Sequence, residues 1–173
     1  SNNKLVVFST LGKFYTINCS RVSSGRGFGD PISLLIDKND NEEVLFFKIY
    51  EQDKEFLITS SAGKGFFVNS NDFIASTKSG KKVMNLKDND RAVSCAEKKG
   101  DLIVSISGEK KSFKLLAFNS SEIPNMQKGR GITLQKFKSG KTLNAFCADS
   151  NEGIINERSK KVLLSAKDLK KWL

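Results

Sequence analysis

Apolar residues along this chain fall in short alternating runs, not at the three-and-four spacing of an amphipathic helix. The runs are rich in Phe, Val and Ile, side chains that suit a pleated, half-buried surface, and clusters of Gly, Asn, Asp and Ser separate them. The pattern predicts strands almost throughout. Residues 5–8 and 14–17 form a hairpin about Leu11-Gly12. Residues 55–59 and 65–68 form one about Ala62-Gly63, and residues 102–106 and 112–117 one about Gly108-Glu109. Two further strands follow each hairpin: 32–36 and 44–49, 83–86 and 92–96, 132–137 and 143–148. Only the end of the chain departs from this rhythm. Ser165 reads as an N-cap with Asp168 three positions on, and Leu169, Trp172 and Leu173 give an apolar stripe, so a short C-terminal helix is predicted over 166–173.

The strands are grouped by two interleaved phrases that return at about 50 residues, the period of propeller-type blades. Ser9-Thr10-Leu11-Gly12-Lys13-Phe14 returns as Ser60-Ser61-Ala62-Gly63-Lys64-Gly65. It returns loosely as Ser105-Ile106-Ser107-Gly108-Glu109-Lys110 and as Asn156-Glu157-Arg158-Ser159-Lys160-Lys161. The second phrase is Ser24-Gly25-Arg26-Gly27, then Ser79-Gly80-Lys81-Lys82, then Lys128-Gly129-Arg130-Gly131. Three full repeats (4–53, 54–100 and 101–152) and a partial fourth (153–173) are expected within a single domain, 1–173. A lone four-stranded sheet leaves an apolar face uncovered, so neighbours must stack. The expected fold is all-β and propeller-like, as an open arc or with blades that exchange strands.

Charge narrows the partner. Lys+Arg number 29 against 19 Asp+Glu, a net charge of +10, which favours a polyanion. The absence of histidine removes the usual neutral-pH general base and every Ser/His/Asp or Cys/His arrangement. Cys19, Cys95 and Cys147 have no CxxC spacing and read as free thiols in a reducing cytoplasm, so no metal or cofactor is expected in this chain. No apolar run approaches the roughly 20 residues of a membrane helix, and no membrane partner is expected. Asp37, Asp40, Glu42 and Glu43 read as turn carboxylates, Tyr15 and Tyr50 as core or rim. The chain begins Ser1-Asn2-Asn3, without Met, and reads as a domain excised from a larger polypeptide.

The glycine-flanked cations carry the functional reading. Glycines 25, 27 and 29 let a ligand approach the main chain closely, and exposed N–H groups beside Arg26 make a phosphate cradle. Repetition places Lys78, Lys81 and Lys82, then Lys128 and Arg130, at equivalent positions, with Lys136 and Lys138 nearby. The phenylalanines follow a buried pattern, so a single-strand stacking platform is not expected. The expected mode is phosphate contact to duplex DNA, largely independent of sequence. Lys13, Lys64 and the other hairpin-turn lysines read first as solvated cations.

Three stretches carry a family resemblance: Gly25-Arg26-Gly27-Phe28-Gly29-Asp30-Pro31-Ile32, the run from Asn71-Asp72 through Thr77-Lys78-Ser79-Gly80-Lys81-Lys82-Val83-Met84-Asn85-Leu86, and Gly129-Arg130-Gly131-Ile132-Thr133-Leu134-Gln135-Lys136-Phe137. They resemble the C-terminal domain of the ParC-type (A) polypeptide of bacterial DNA topoisomerase IV, with its gyrase counterpart as near relative. The resemblance covers nearly the whole chain. It implies a β-pinwheel whose blades exchange strands and which guides or bends duplex DNA, the transported segment in decatenation and supercoil relaxation. It also implies a nucleoid-associated cytoplasmic parent that pairs with the ParE-type (B) polypeptide of topoisomerase IV, needs ATP and Mg2+, and cleaves DNA with a tyrosine absent from this chain. The basic box of gyrase is incomplete here, because Ser23-Ser24-Gly25-Arg26-Gly27-Phe28-Gly29 lacks the Gln and one cation. That favours the topoisomerase IV type over tight wrapping.

Overall fold

The computed structural model describes residues 3–109, 112–152, 154–155 and 162–164. The strands are β1 (Lys4–Ser9), β2 (Lys13–Asn18), β3 (Val44–Ile49), β4 (Glu55–Ser60), β5 (Lys64–Asn69), β6 (Lys81–Lys82) and β7 (Ala92–Glu97). They continue as β8 (Leu102–Glu109), β9 (Ser112–Asn119), β10 (Ile132–Thr133), β11 (Lys141–Ala148), β12 (Ile154–Ile155) and β13 (Val162–Leu164). All pairing between them is antiparallel. Sheet one has the order β3-β1-β2-β6, sheet two β10-β5-β4-β7 and sheet three β11-β8-β9, and β12 pairs with β13.

The fourth strand of each four-stranded sheet comes from the repeat that follows. β6 leaves the second repeat to pair with β2, setting Lys82 opposite Lys13 and Lys81 opposite Phe14. β10 leaves the third repeat to pair with β5, setting Thr133 opposite Lys64 and Ile132 opposite Gly65. The repeated hairpin glycines make room for this. At Gly63 (φ +74) a Cβ would stand 2.7 Å from the Gln135 carbonyl oxygen, so only glycine lets the incoming chain cross. The Gly12 carbonyl in turn accepts from Val83 N and Met84 N, each at 3.0 Å, and that of Gly63 from Leu134 N at 2.8 Å. Neighbouring sheets are joined again where Ala92 N donates to the Thr10 carbonyl and Thr142 N to that of Ser61, both at 2.9 Å.

Side-chain alternation then fills the spaces between sheets. Val6, Phe8, Phe14, Phe56, Ile58, Phe66 and Val68 meet between sheets one and two with Phe73 and Met84. Phe73 stacks on Phe14 with centroids 4.1 Å apart and meets Phe56 edge-on at 5.5 Å. The odd-numbered partners face the other side of the sheet: Leu57 and Phe67 pack with Ile103, Ile123, Leu134 and Ala145 toward sheet three. Val7, Tyr15 and Ile17 form a third cluster under Ile36.

Three expectations change. Residues 32–36 are not a strand but a 3-10 turn, Ile32–Leu34, because no sheet edge among the described residues receives them. The stretch 83–86 is not a strand: the two-residue β6 lies just before it, and Met84 makes only an isolated bridge to Gly129, while 132–137 shrinks to the two residues of β10; both ladders end where the chain crosses a hairpin glycine. Gly108 lies inside β8, opposite Phe113, and not in a turn. The helix expected over 166–173 lies outside the described residues.

Candidate nucleic-acid interface

Each hairpin is followed by a 3-10 turn, Cys19–Arg21, Ser70–Asp72 or Ser120–Glu122, and then by an arm, and the second and third arms cross to the preceding sheet. The turns start at Asn18, Asn69 and Asn119. Asn69 and Asn119 cap them by accepting from the backbone N–H two residues on, at 2.9 and 2.8 Å. Gly80 and Gly131 are equivalent by strand pairing, each standing just before the strand that joins the preceding hairpin, and Gly29 follows Asn18 at the same spacing as Gly80 follows Asn69. All three have a left-handed backbone, φ 74, 76 and 73. A Cβ at Gly80 would collide with the Tyr15 ring at 2.8 Å, and one at Gly131 with the Gly65 carbonyl oxygen at 2.3 Å. Gly29 meets nothing within 4 Å, because its arm has no receiving hairpin among the described residues.

The arms touch in series. Asp37 N donates to the Lys78 carbonyl at 2.9 Å, and Lys78 Nζ to the Leu34 carbonyl at 3.2 Å, joining the first arm to the second. Asn85 N donates to the Gly129 carbonyl at 2.7 Å and Gly129 N to that of Val83 at 3.0 Å, joining the second to the third. The eight expected contact residues are Arg26, Lys78, Lys81, Lys82, Lys128, Arg130, Lys136 and Lys138. All lie on these arms and on the connection after β10, and Arg26, Lys78, Lys81, Lys82, Lys128, Arg130, Lys136 and Lys138 keep solvent-accessible side chains there. Lys81 Nζ donates to the Asp72 carbonyl, so its reach is shorter than that of Lys82.

Among the described residues the arm cations make no ion pair with a carboxylate. The ion pairs among the described residues lie elsewhere: Lys48 bridges Glu51 at 2.9 Å and Glu97 at 2.6 Å, and Lys98 meets Glu55 at 2.7 Å. Strand pairing sets Lys13 directly opposite Lys82, and like charges in that position repel. An anion placed against the pair relieves the repulsion, which is what a phosphate contact offers. Lys13 is thus brought to the arms by tertiary pairing, and the repeated hairpin phrase was its only signal in the sequence.

The carboxylates hold the hairpins in place. Glu42 is 2% exposed, a buried acid where a solvated turn was expected. It accepts from Ser9 Oγ, from Tyr15 OH at 2.8 Å and from Asn39 N at 3.0 Å. Burial opposes its ionisation, but these hydrogen bonds and the Lys13 charge outweigh it and hold the carboxyl below its usual range. Burial and the same carboxylate push the Tyr15 hydroxyl upward. Asp90 has the matching role in the next sheet, accepting from Ser61 Oγ at 2.7 Å and Ala62 N at 2.9 Å. Among the described residues no group of three or more Cys, Asp and Glu is placed to hold a metal ion, and no helix is long and apolar enough to cross a membrane.

The family model described as "DNA gyrase C-terminal domain, beta-propeller" matches residues 54–96 and 117–146. The A-type polypeptide of DNA topoisomerase 4 from Rickettsia bellii is 42% identical over 166 residues, which are 95% of this chain and 22% of that protein. The Escherichia coli K12 protein of the same name is 27% identical over 133 residues, 76% of this chain and 17% of its own length. This chain therefore spans about a fifth of the curated relatives it matches. Among solved structures, the C-terminal domain of E. coli ParC superposes with a TM-score of 0.83 at 23% identity, covering 99% of this chain and 72% of that one. A DNA gyrase A C-terminal domain superposes with a TM-score of 0.65 at 25% identity, covering 87% and 50%. Strand exchange, the two glycine phrases and these matches agree: the chain belongs to the β-pinwheel family of C-terminal domains found in the A-type polypeptides of DNA topoisomerase IV and DNA gyrase.

Proposed function

We propose that this chain is a non-catalytic module that binds duplex DNA through phosphate contacts along its three arms. In a cytoplasmic parent enzyme of the topoisomerase IV type, paired with a ParE-type polypeptide, it guides or bends the transported segment. The observation that carries the reading is the hydrogen-bonded series of arms, each bearing cations without carboxylate partners. The net charge of +10 supports it by drawing a polyanion to the surface from a distance. Tight wrapping of the gyrase kind is the less favoured variant, since the basic box is incomplete at residues 23–29.

A mobility-shift titration with linear and supercoiled duplex at two salt concentrations tests the proposal. Affinity should fall steeply with salt, each neutralised phosphate contributing about −0.9 to the log–log slope. A chain with no duplex affinity at about 50 mM salt, where an electrostatic binder is strong, would be a protein-interaction scaffold instead.

A further inference from the structure

One side chain on the arms breaks their chemistry. Phe28 has a relative exposure of 114%, the highest of the large apolar residues among those described. It stands between Gly27 and Gly29, and a Cβ at either glycine would meet no atom within 4 Å. No wall of protein therefore stands close to the backbone on either side of the ring. Pro31, at φ −57, stiffens the chain just beyond it. Arg26 lies two residues before, on the same exposed loop.

Missing protein does not account for this exposure. Aligned on Gly29, Gly80 and Gly131, Phe28 occupies the place of Ser79 and Arg130. Both of those are exposed although their arms are seated on the preceding sheet. Seating the first arm in the same way would leave Phe28 in solvent too. In the second and third arms the position holds the polar residues Ser79 and Arg130, and in the first arm it holds a phenyl ring.

We propose that Phe28 is a wedge that enters a base step of bound duplex while Arg26 holds the adjacent phosphate. The inference rests on the DNA-binding reading above. An apolar side chain inserted between base pairs unstacks them, at a free-energy cost, and kinks the duplex, and the bend brings more backbone against the protein. Flexible steps such as TA lower that cost. Arms two and three, with Ser79 and Arg130 at the tip, contact the backbone alone, so the bend is centred on the first arm.

The test uses the whole 173-residue chain. Linear duplexes carry a donor–acceptor pair at their ends and either one TA step or an uninterrupted A-tract, with 2-aminopurine beside the step in a parallel set. The parent should shorten the end-to-end distance, favour the TA duplex and brighten the 2-aminopurine. Phe28→Ala should lose all three effects and about tenfold in affinity for the TA duplex, with its salt slope and thermal midpoint unchanged. Phe28→Leu, which keeps an apolar wedge, should retain most of the bend. Phe28→Arg should lose the bend while steepening the salt slope by about 0.9. If Phe28→Ala bends duplex as the parent does, or affects only single-stranded DNA, the wedge is overturned and the phosphate-contact reading stands. If the parent shows no salt-dependent affinity for duplex, the phosphate-contact reading itself falls.

Discussion

Glu42 shows how much a single buried residue decides here. Its carboxylate ties three segments together: the end of β1 through Ser9, β2 through Tyr15 and its own turn through Asn39. Glu42→Gln should cost about 1–3 kcal/mol in urea unfolding, because a neutral amide replaces a charge-assisted acceptor in a buried site. The sign of its pH dependence follows from the depressed native value. The stabilisation is complete above the unfolded value, about 4.3, and is lost as pH falls through the native one. Unfolding midpoints between pH 6 and roughly 3 should therefore drop more steeply in the parent than in Glu42→Gln. None of this was legible beforehand. Asp37, Asp40, Glu42 and Glu43 share one polar turn, and only the pairing of β1 with β2 and β3 selects Glu42. The phenylalanines were legible in the hairpins, where alternation buries Phe8, Phe14, Phe56, Phe66 and Phe67, but not at Phe28, Phe47 and Phe113, which are exposed.

At the scale of elements, hairpins and arms were read with unequal success. Hairpin strands carry their own signal, since period-2 alternation is local, and β3 was placed at its observed bounds, Val44–Ile49. An arm lends its residues to a neighbouring sheet, so its apolar spacing imitates a longer strand of its own repeat. Glycine substitutions expose the difference. A side chain at Gly29, Gly80 or Gly131 carries the same left-handed backbone strain, about 1 kcal/mol. At Gly80 and Gly131 it also collides with the receiving strand. Gly29→Ala should therefore cost about 1 kcal/mol, and Gly80→Ala or Gly131→Ala about 3 kcal/mol, in denaturant titrations. Equal losses at all three positions would mean that the second and third arms are not seated as described.

For the whole molecule, binding and stability should move in opposite directions at the paired lysines. Lys82→Ala removes a phosphate contact and should flatten the log–log salt slope by about 0.9. It also relieves the repulsion from Lys13 and should raise stability by roughly 0.2–1 kcal/mol. Arg26→Ala and Arg130→Ala should flatten the slope equally and leave the thermal midpoint unchanged, since both side chains reach into solvent from their loops. The cationic phrases were readable because they repeat, and their joining into one path was not, because it depends on hydrogen bonds such as that of Asn85 with Gly129. The exchange of strands has a further consequence, for synthesis. A chain emerging from the ribosome cannot finish its first sheet when its first repeat is complete: β6 and the Val83–Met84 contacts to Gly12 arrive only in the second half of the next repeat. Each blade waits on its successor, so co-translational folding should lag the nascent end by one blade, and a stalled ribosome would hold an open edge on a segment already outside the tunnel.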